Sequence, residues 1–325
     1  MSEAAPFFAD AAEAPEGARA FWVETADGIR IRAVIWEGGG RGTAFVFAGR
    51  SEYVEKYGRM IGRLVARGLT VVAHDWRGQG LSDRHPQHPT LGHVEDFRDY
   101  QKDWAALAAH PALEGAPQPF YMFAHSMGGC IGLRTLLEGS DFCGAIMSAP
   151  MWHLQMKAAT RQITNSLAQF AGLVGLGQQR MPGTTREPSA LALAFQNNVL
   201  TSCDEHFGWF GRQLTAHPEL GLGGPSVQWT YAALEEMARL YVAPVPRLPV
   251  LSFLGHREHV VSPGVIRTQT EKMPRGELVE IVEARHEIWM ERPEIQETVW
   301  ERIDDFLGRV PARRAGRPPS ALNLG

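Results

Sequence analysis

"YMFAHSMGGC", residues 121–130, sets an apolar run against a sudden patch of small residues, with Ser126 at the join. Phe120–Ala124 is short and continuously apolar, the pattern of a strand buried on both faces. From Met127 onward, Ile131, Leu133, Leu136 and Leu137 follow the spacing of a helix. A strand that turns sharply into a helix strains the residue at the turn and tolerates only small neighbours. Such a turn exposes the Ser126 hydroxyl at the C-terminal edge of a sheet and aims the next N–H into the same space. Ala124 stands where a Gly-x-Ser-x-Gly pattern has glycine, but alanine is small enough to meet the steric requirement. The plainer alternative is a serine that caps the helix 127–138.

Working outward, similar runs occupy Ala44–Ala48, Leu69–Ala73, Gly144–Met147, Val250–Leu254 and Leu278–Val282. Residues 20–24 and 29–36 flank Asp27–Gly28, a hairpin signal, and the second alternates Ile29, Ile31, Ala33 and Ile35 with Arg30 and Arg32. Helical stretches at Tyr53–Ala66, Phe97–Ala109, Met127–Glu138, Gly264–Met273 and Glu294–Leu307 separate the runs, so an α/β domain with right-handed crossovers is expected. The alternation breaks between about 150 and 245. There Trp152–Leu173, Ser189–Leu200, Asp204–Thr215 and Val227–Tyr241 read as helices of an insertion lying on the sheet. The expected organisation is a flexible N-terminus at 1–17, a core from 18–150 and 245–310, a helical cap at 151–244, and a flexible tail at 311–325.

Bulk composition narrows the function. Hydrophobic residues make up 44% and charged residues 21%, ordinary for a globular protein, and the net charge of −4 gives no case for nucleic acid. Cys130, Cys143 and Cys203 show no CxxC pairing, which argues against a zinc site or disulfide framework and for a reducing compartment. With no signal-peptide pattern and no run of about 18 apolar residues, a cytoplasmic location is expected. No metal or nucleotide cofactor is expected, since Gly38–Gly39–Gly40 is not followed by the lysine of a phosphate-binding loop.

A serine nucleophile needs a base, the base needs an orienting acid, and the tetrahedral intermediate needs two N–H donors. Glu258 follows the run 250–254 and His286 follows the run 278–282. Ser126, Glu258 and His286 therefore stand in the order serine, acid, histidine, each after a strand. Glu283 and Glu287 lie close to the histidine in sequence and are rival acids.

Several motifs extend this reading. Ala48–Tyr53 (AGRSEY) resembles the His-Gly-x-x-Glu-His segment of monoglyceride lipases and, more closely, the Gly-Arg-x-Glu-Tyr form of bacterial lysophospholipases. HDWRGQGLSD (74–83) resembles an Asp-x-Arg-Gly-x-Gly-x-Ser loop, AHSMGG (124–129) a Gly-His-Ser-Met-Gly-Gly elbow, and GHREHVVSP (255–263) a Gly-x-x-Asp-x-Val-Val turn. ARHEIWMERPE (284–294) resembles the segment around a catalytic histidine. Together they resemble the α/β-hydrolase superfamily, in the monoacylglycerol lipase and bacterial lysophospholipase (serine aminopeptidase-like) branch, from about residue 20 to 308.

The resemblance implies an α/β-hydrolase fold: a mostly parallel, eight-stranded sheet flanked by helices, with a helical cap after the sixth strand. It implies Ser126 as nucleophile, His286 as base, Glu258 as acid, and the backbone N–H groups of Arg50 and Met127 as oxyanion hole. The expected activity is hydrolysis of carboxylic esters of single-chain lipids, monoacylglycerol or lysophospholipid. Aromatic residues of the insertion, Trp152, Phe195, Trp209 and Trp229 among them, are candidates for substrate contact. The stretch LAQFAGLVGL (167–176) offers a peripheral membrane contact through the cap, and the oligomeric state is left open. Alternatives are a short-chain or aryl carboxylesterase, a proline-iminopeptidase-like peptidase, and a non-catalytic ligand-binding module.

Overall fold

The computed structural model describes residues 4–156 and 175–310. All eight expected strands form, as one sheet in the order β1-β2-β4-β3-β5-β6-β7-β8. They are β1 (Arg19–Glu24), β2 (Arg30–Trp36), β3 (Thr43–Phe47), β4 (Thr70–His74), β5 (Phe120–His125), β6 (Phe142–Ser148), β7 (Val250–Gly255) and β8 (Gly276–Ile281). The β1–β2 hairpin runs antiparallel and joins β4 antiparallel, and every pairing from β4 through β8 is parallel. The central strands β3 to β7 are buried along their whole length, which is why they read as unbroken apolar runs.

Helices α1 (Gly58–Ala66), α2 (Asp99–Ala108), α3 (Met127–Glu138), α6 (Pro263–Lys272) and α7 (Pro293–Arg309) connect or follow the strands. Two more helices, α4 (Asp204–Ala216) and α5 (Val227–Val242), lie in the insertion between β6 and β7. Ser226 opens α5 by accepting the Trp229 N–H at 2.9 Å. Most of the expected helix at Trp152–Leu173 and the tail at 311–325 lie outside the described residues.

Three local expectations need correction. The helix expected over Ser189–Leu200 is reduced to a turn at Ser189–Ala192 and a 3₁₀ turn at Phe195–Asn197. The Asn198 side chain accepts the N–H groups of Leu200 and Thr201 at 2.8 and 3.0 Å, an alternative that competes with helical bonding. Strand β8 starts two residues earlier than expected and leaves Val282 outside it and 62% exposed, because pairing of Val250 with Gly276 and Gly255 with Ile281 sets its ends.

Most consequentially, residues 4–17 are packed rather than flexible. Ala4 bridges Phe21, Phe7 meets the Trp36 ring edge-on, and the Trp36 Nε1–H donates to Pro15 O at 3.1 Å. This segment covers the face of β2 that carries Arg32. Arg32 is fully buried there, donating to both Glu55 oxygens at 2.6 and 2.7 Å and to Asp75 at 2.8 Å. Desolvating the guanidinium costs several kcal/mol, which only two close carboxylates can offset.

Candidate active site

Ser126 sits between β5 and α3 with φ 48° and ψ −115°, a left-handed backbone that is strained for a residue bearing a Cβ. Its surroundings hold it there. The Ser126 N–H donates to Ser148 O at the end of β6, and the Met151 N–H donates back to Ser126 O at 2.8 Å. A Cβ on Gly128 would lie 2.0 Å from Phe47 O, and one on Gly129 2.5 Å from Pro150 Cβ. Both positions exclude a side chain, so the start of α3 presses directly on the end of β3. Ala124 is fully buried in place of glycine, and even a Cβ on Gly132 opposite would lie 3.6 Å from its methyl, an ordinary van der Waals contact.

Ser126 Oγ lies 2.9 Å from His286 Nε2, and His286 Nδ1 lies 2.8 Å from Glu258 Oε2. Nδ1–H donating to the carboxylate leaves the Nε2 lone pair facing the serine hydroxyl. The other oxygen, Glu258 Oε1, accepts the N–H groups of Val260 and Val261 at 2.6 and 3.1 Å, which fixes the carboxylate plane. Burial alone would raise the Glu258 pKa, but the bond to His286 and the two backbone donors hold it below the ordinary carboxylate value. All three side chains are buried. The rival acids are engaged elsewhere: Glu283 pairs with Arg257 at 2.5 Å, and Glu287 turns away from Ser126 towards Lys56 at 2.6 Å.

Met127 N–H is the first of α3 and has no partner within the helix. In the loop that follows residues 47–48, which α3 abuts, the Arg50 N–H finds no acceptor among the described residues. Gln79 shapes that loop, donating to Gly49 O at 2.7 Å and accepting the Ser51 N–H at 3.2 Å. The sequence reading assigned Gln79 no part, although the glycine-rich loop containing it was singled out.

A second feature escaped that reading. His125 donates from Nδ1 to Ser148 O at 3.1 Å, while its Nε2 lies 3.3 Å from Glu287 and 3.6 Å from Glu52. Lys56 bridges the same carboxylates at 2.5 and 2.6 Å, and Tyr57 OH donates to Glu52. Although burial opposes its charge, the two carboxylates raise the His125 pKa above its ordinary value and favour the charged ring. Lys56 and His125 thus face the Glu52 and Glu287 carboxylates within a buried cluster whose His125 ring lies 4.9 Å from the His286 ring. Glu52, His125 and Glu287 converge closely enough to bind a metal ion, but the Lys56 ammonium already supplies positive charge to both carboxylates.

The four aromatic candidates are dispersed. Trp152 is buried beneath α3, donating to Gly129 O at 3.1 Å, and Trp209 packs on Arg59 while donating to Ala11 O at 3.2 Å. Phe195 meets Phe207, and Trp229 donates to Tyr100 OH at 3.0 Å beside Arg50. A cavity of about 510 Å³ opens between Leu154, Met156, Leu234, Met237, Tyr241 and Val265, but none of the three hydrogen-bonded side chains lines it.

The family described as Hydrolase_4, serine aminopeptidase, S33, matches residues 39–293, a span containing Arg50, Ser126, Glu258 and His286. The chain belongs to this family. Lysophospholipase L2 of Escherichia coli (strain K12) is 29% identical over 276 residues, covering 80% of this chain and 78% of its own. The probable lysophospholipase L2 of Haemophilus influenzae is 26% identical over 261 residues, covering 80% and 81%. A soluble variant of monoglyceride lipase from Saccharomyces cerevisiae, solved with a substrate analogue, aligns with a TM-score of 0.72 over 94% of this chain and 99% of that one, at 21% identity. This member of the serine aminopeptidase family has the α/β-hydrolase fold.

Proposed function

We propose that the protein is a serine hydrolase that cleaves carboxylic esters of single-chain lipids through an acyl-serine intermediate. The unbroken relay from Ser126 Oγ through the His286 ring to Glu258, with contacts of 2.9 and 2.8 Å, carries this reading. His286 Nε2 takes the hydroxyl proton as Oγ attacks the ester carbonyl carbon. The N–H groups of Met127 and Arg50 receive the oxyanion. As the tetrahedral adduct collapses, His286 returns the proton to the departing alcohol, and water then repeats the sequence to release the fatty acid. Glu258 accepts the Nδ1–H bond throughout and stabilises the imidazolium.

The lipid part of the reading rests on the relatives, two of which are named lysophospholipases. Leu176, Leu191, Leu193 and Val199 of the insertion are exposed, which favours the cap as a surface that meets a lipid interface. An aminopeptidase would need carboxylates to receive a free amino terminus. Glu236 is instead paired with Arg134, and Glu205 with Arg59 at 2.7 Å. Three buried thiols outside any disulfide favour a reducing, cytoplasmic setting.

The test is kcat/KM on p-nitrophenyl esters of graded chain length, with monoacylglycerol and lysophosphatidylcholine, for wild type and Ser126→Ala. Turnover should rise with chain length and vanish in the variant, whose melting temperature should stay close to wild type. Preference for the shortest esters would discard the lipid reading, and persistent turnover in Ser126→Ala would discard the nucleophile.

A further inference from the structure

Residue 50 contributes more than a backbone N–H to this site. The Arg50 side chain reaches across to the glycine-rich segment 221–225 of the insertion, where Nη1 donates to Gly223 O at 3.0 Å. Arg180 reaches the neighbouring carbonyl, Gly224 O, at 2.9 Å and also bonds Thr185 O at 3.0 Å. Arg84 closes the same segment from the other side, donating to Glu219 O at 2.8 Å and to Leu220 O at 3.0 Å.

Among the described residues, none of these three cations forms an ion pair; each is held by carbonyl oxygens instead. The undescribed stretch 157–174 contains no aspartate or glutamate that could supply one. Burial pushes the Arg50 pKa down to about 10, and the like charge of Arg180 adds to the effect. Arg84 spends all three nitrogens on carbonyls and Arg180 both of its terminal nitrogens, whereas Arg50 uses Nη1 alone. It is half-buried, and its Nε and Nη2 have no acceptor among the described residues. The Trp229 ring lies 5.6 Å from Cζ, and a Cβ on Gly92 would stand 3.3 Å from Nη1, the nitrogen bonded to Gly223 O.

We propose that the Arg50 guanidinium, with Arg180 behind it, is the subsite for a phosphate on the alcohol side of the scissile ester, the head-group phosphate of a lysophospholipid. The proposal rests on the lipid-ester reading above and narrows it from monoacylglycerol towards phosphate-bearing substrates. Covalent reach supports it. Six bonds separate the Arg50 backbone N from Cζ, and six separate the carbonyl carbon from phosphorus in a 1-acylglycerol 3-phosphate, each path spanning at most about 7 Å. One residue can therefore hold the developing oxyanion with its main chain and the phosphate with its side chain. The Nε and Nη2 edge offers the paired donors that suit a phosphate.

The experiment compares kcat/KM for lysophosphatidic acid and monoacylglycerol of the same acyl chain, both below their aggregation limits, with p-nitrophenyl butyrate reporting on the hydrolytic groups alone. Arg50→Gln should lower the lysophosphatidic acid to monoacylglycerol ratio by about tenfold or more, Arg50→Lys should restore part of it, and Arg180→Gln should lower it by about threefold. An arginine that only latches the 221–225 segment would lower all three substrates in step; an unchanged ratio in both glutamine variants overturns the proposal. In wild type, sn-glycerol 3-phosphate should inhibit monoacylglycerol hydrolysis more strongly than equimolar inorganic phosphate. Equal inhibition by both would overturn the head-group assignment in favour of a free-phosphate site. Wild type that cleaves p-nitrophenyl butyrate and neither lipid would overturn the lipid-ester reading and this inference together, which a changed or unchanged ratio would not.

Discussion

At the scale of single residues, two groups make opposite use of burial. Glu258 is buried but saturated with donors, so it stays ionised and can orient His286. Glu258→Gln should place an amide beside Nδ1, favour the wrong tautomer, and lower kcat by roughly 10³–10⁴-fold with little change in stability. Glu283→Gln, which touches only the exposed Arg257, should leave kcat near wild type; the opposite result in steady-state assays would reassign the acid. His74 is buried, edge-on to Trp76 at 4.1 Å, and among the described residues neither ring nitrogen has a partner. Burial lowers its pKa to about 3. The folded state therefore refuses a proton that the unfolded chain accepts below its ordinary value of 6.5, so stability is complete above that pH and falls as the pH drops towards 3. His74→Phe keeps the ring packing and removes that term. The difference in unfolding free energy between pH 8 and pH 5, measured in urea, should shrink by about 2 kcal/mol. An unchanged difference would mean that His74 titrates alike in both states.

At the scale of elements, the elbow and α3 depend on absent side chains. Gly128→Ala would drive a methyl into Phe47 O, with no flexible group to yield, and lift α3 away from the Arg50 loop. Both the melting temperature and kcat should fall, the latter by an order of magnitude or more, since moving an oxyanion donor costs about 3 kcal/mol. Gly132→Ala meets the Met122 sulfur at 2.6 Å, a side chain that can rotate, so it should cost less than about 1.5 kcal/mol and spare kcat. Equal damage from both in paired melts and assays would contradict this account. Ser126, Glu258 and His286 were legible in the sequence because each ends or follows an apolar run, and runs buried on both faces are the clearest strand signal. The cluster around Glu52, Lys56, His125 and Glu287 was not. Lys56 and Glu287 are 231 residues apart, and a charge in a helical pattern ordinarily marks a solvated face. The burial of Arg32 was not legible for a related reason, since alternation in β2 marks two faces but does not say that both are covered.

At the scale of the whole molecule, the N-terminal segment ties the sheet to the insertion. The Phe8 N–H donates to Glu55, and Arg32 donates to Pro6 O at 3.2 Å. Gln213 of α4 donates to Ala11 O at 2.8 Å, Glu13 pairs with Arg59, and the Phe8 ring stacks on His217 at 3.8 Å. Removing residues 1–16 should open the Arg32–Glu55 pair to water and loosen α4. The expected result is a fall of about 10 °C or more in melting temperature, given about 2–4 °C per kcal/mol for a chain of this size. Retained thermal stability would show that the segment is an accessory.

This bridge also sets an order of events during synthesis. Residues 4–16 are made before part of the surface they dock on, around Trp209, Gln213 and His217, which emerges some two hundred residues later. Until then the Phe8 ring has no completed seat, and the nascent chain carries it exposed. A fusion partner that folds at once and holds residues 4–16 away from the sheet would deny the insertion its anchor.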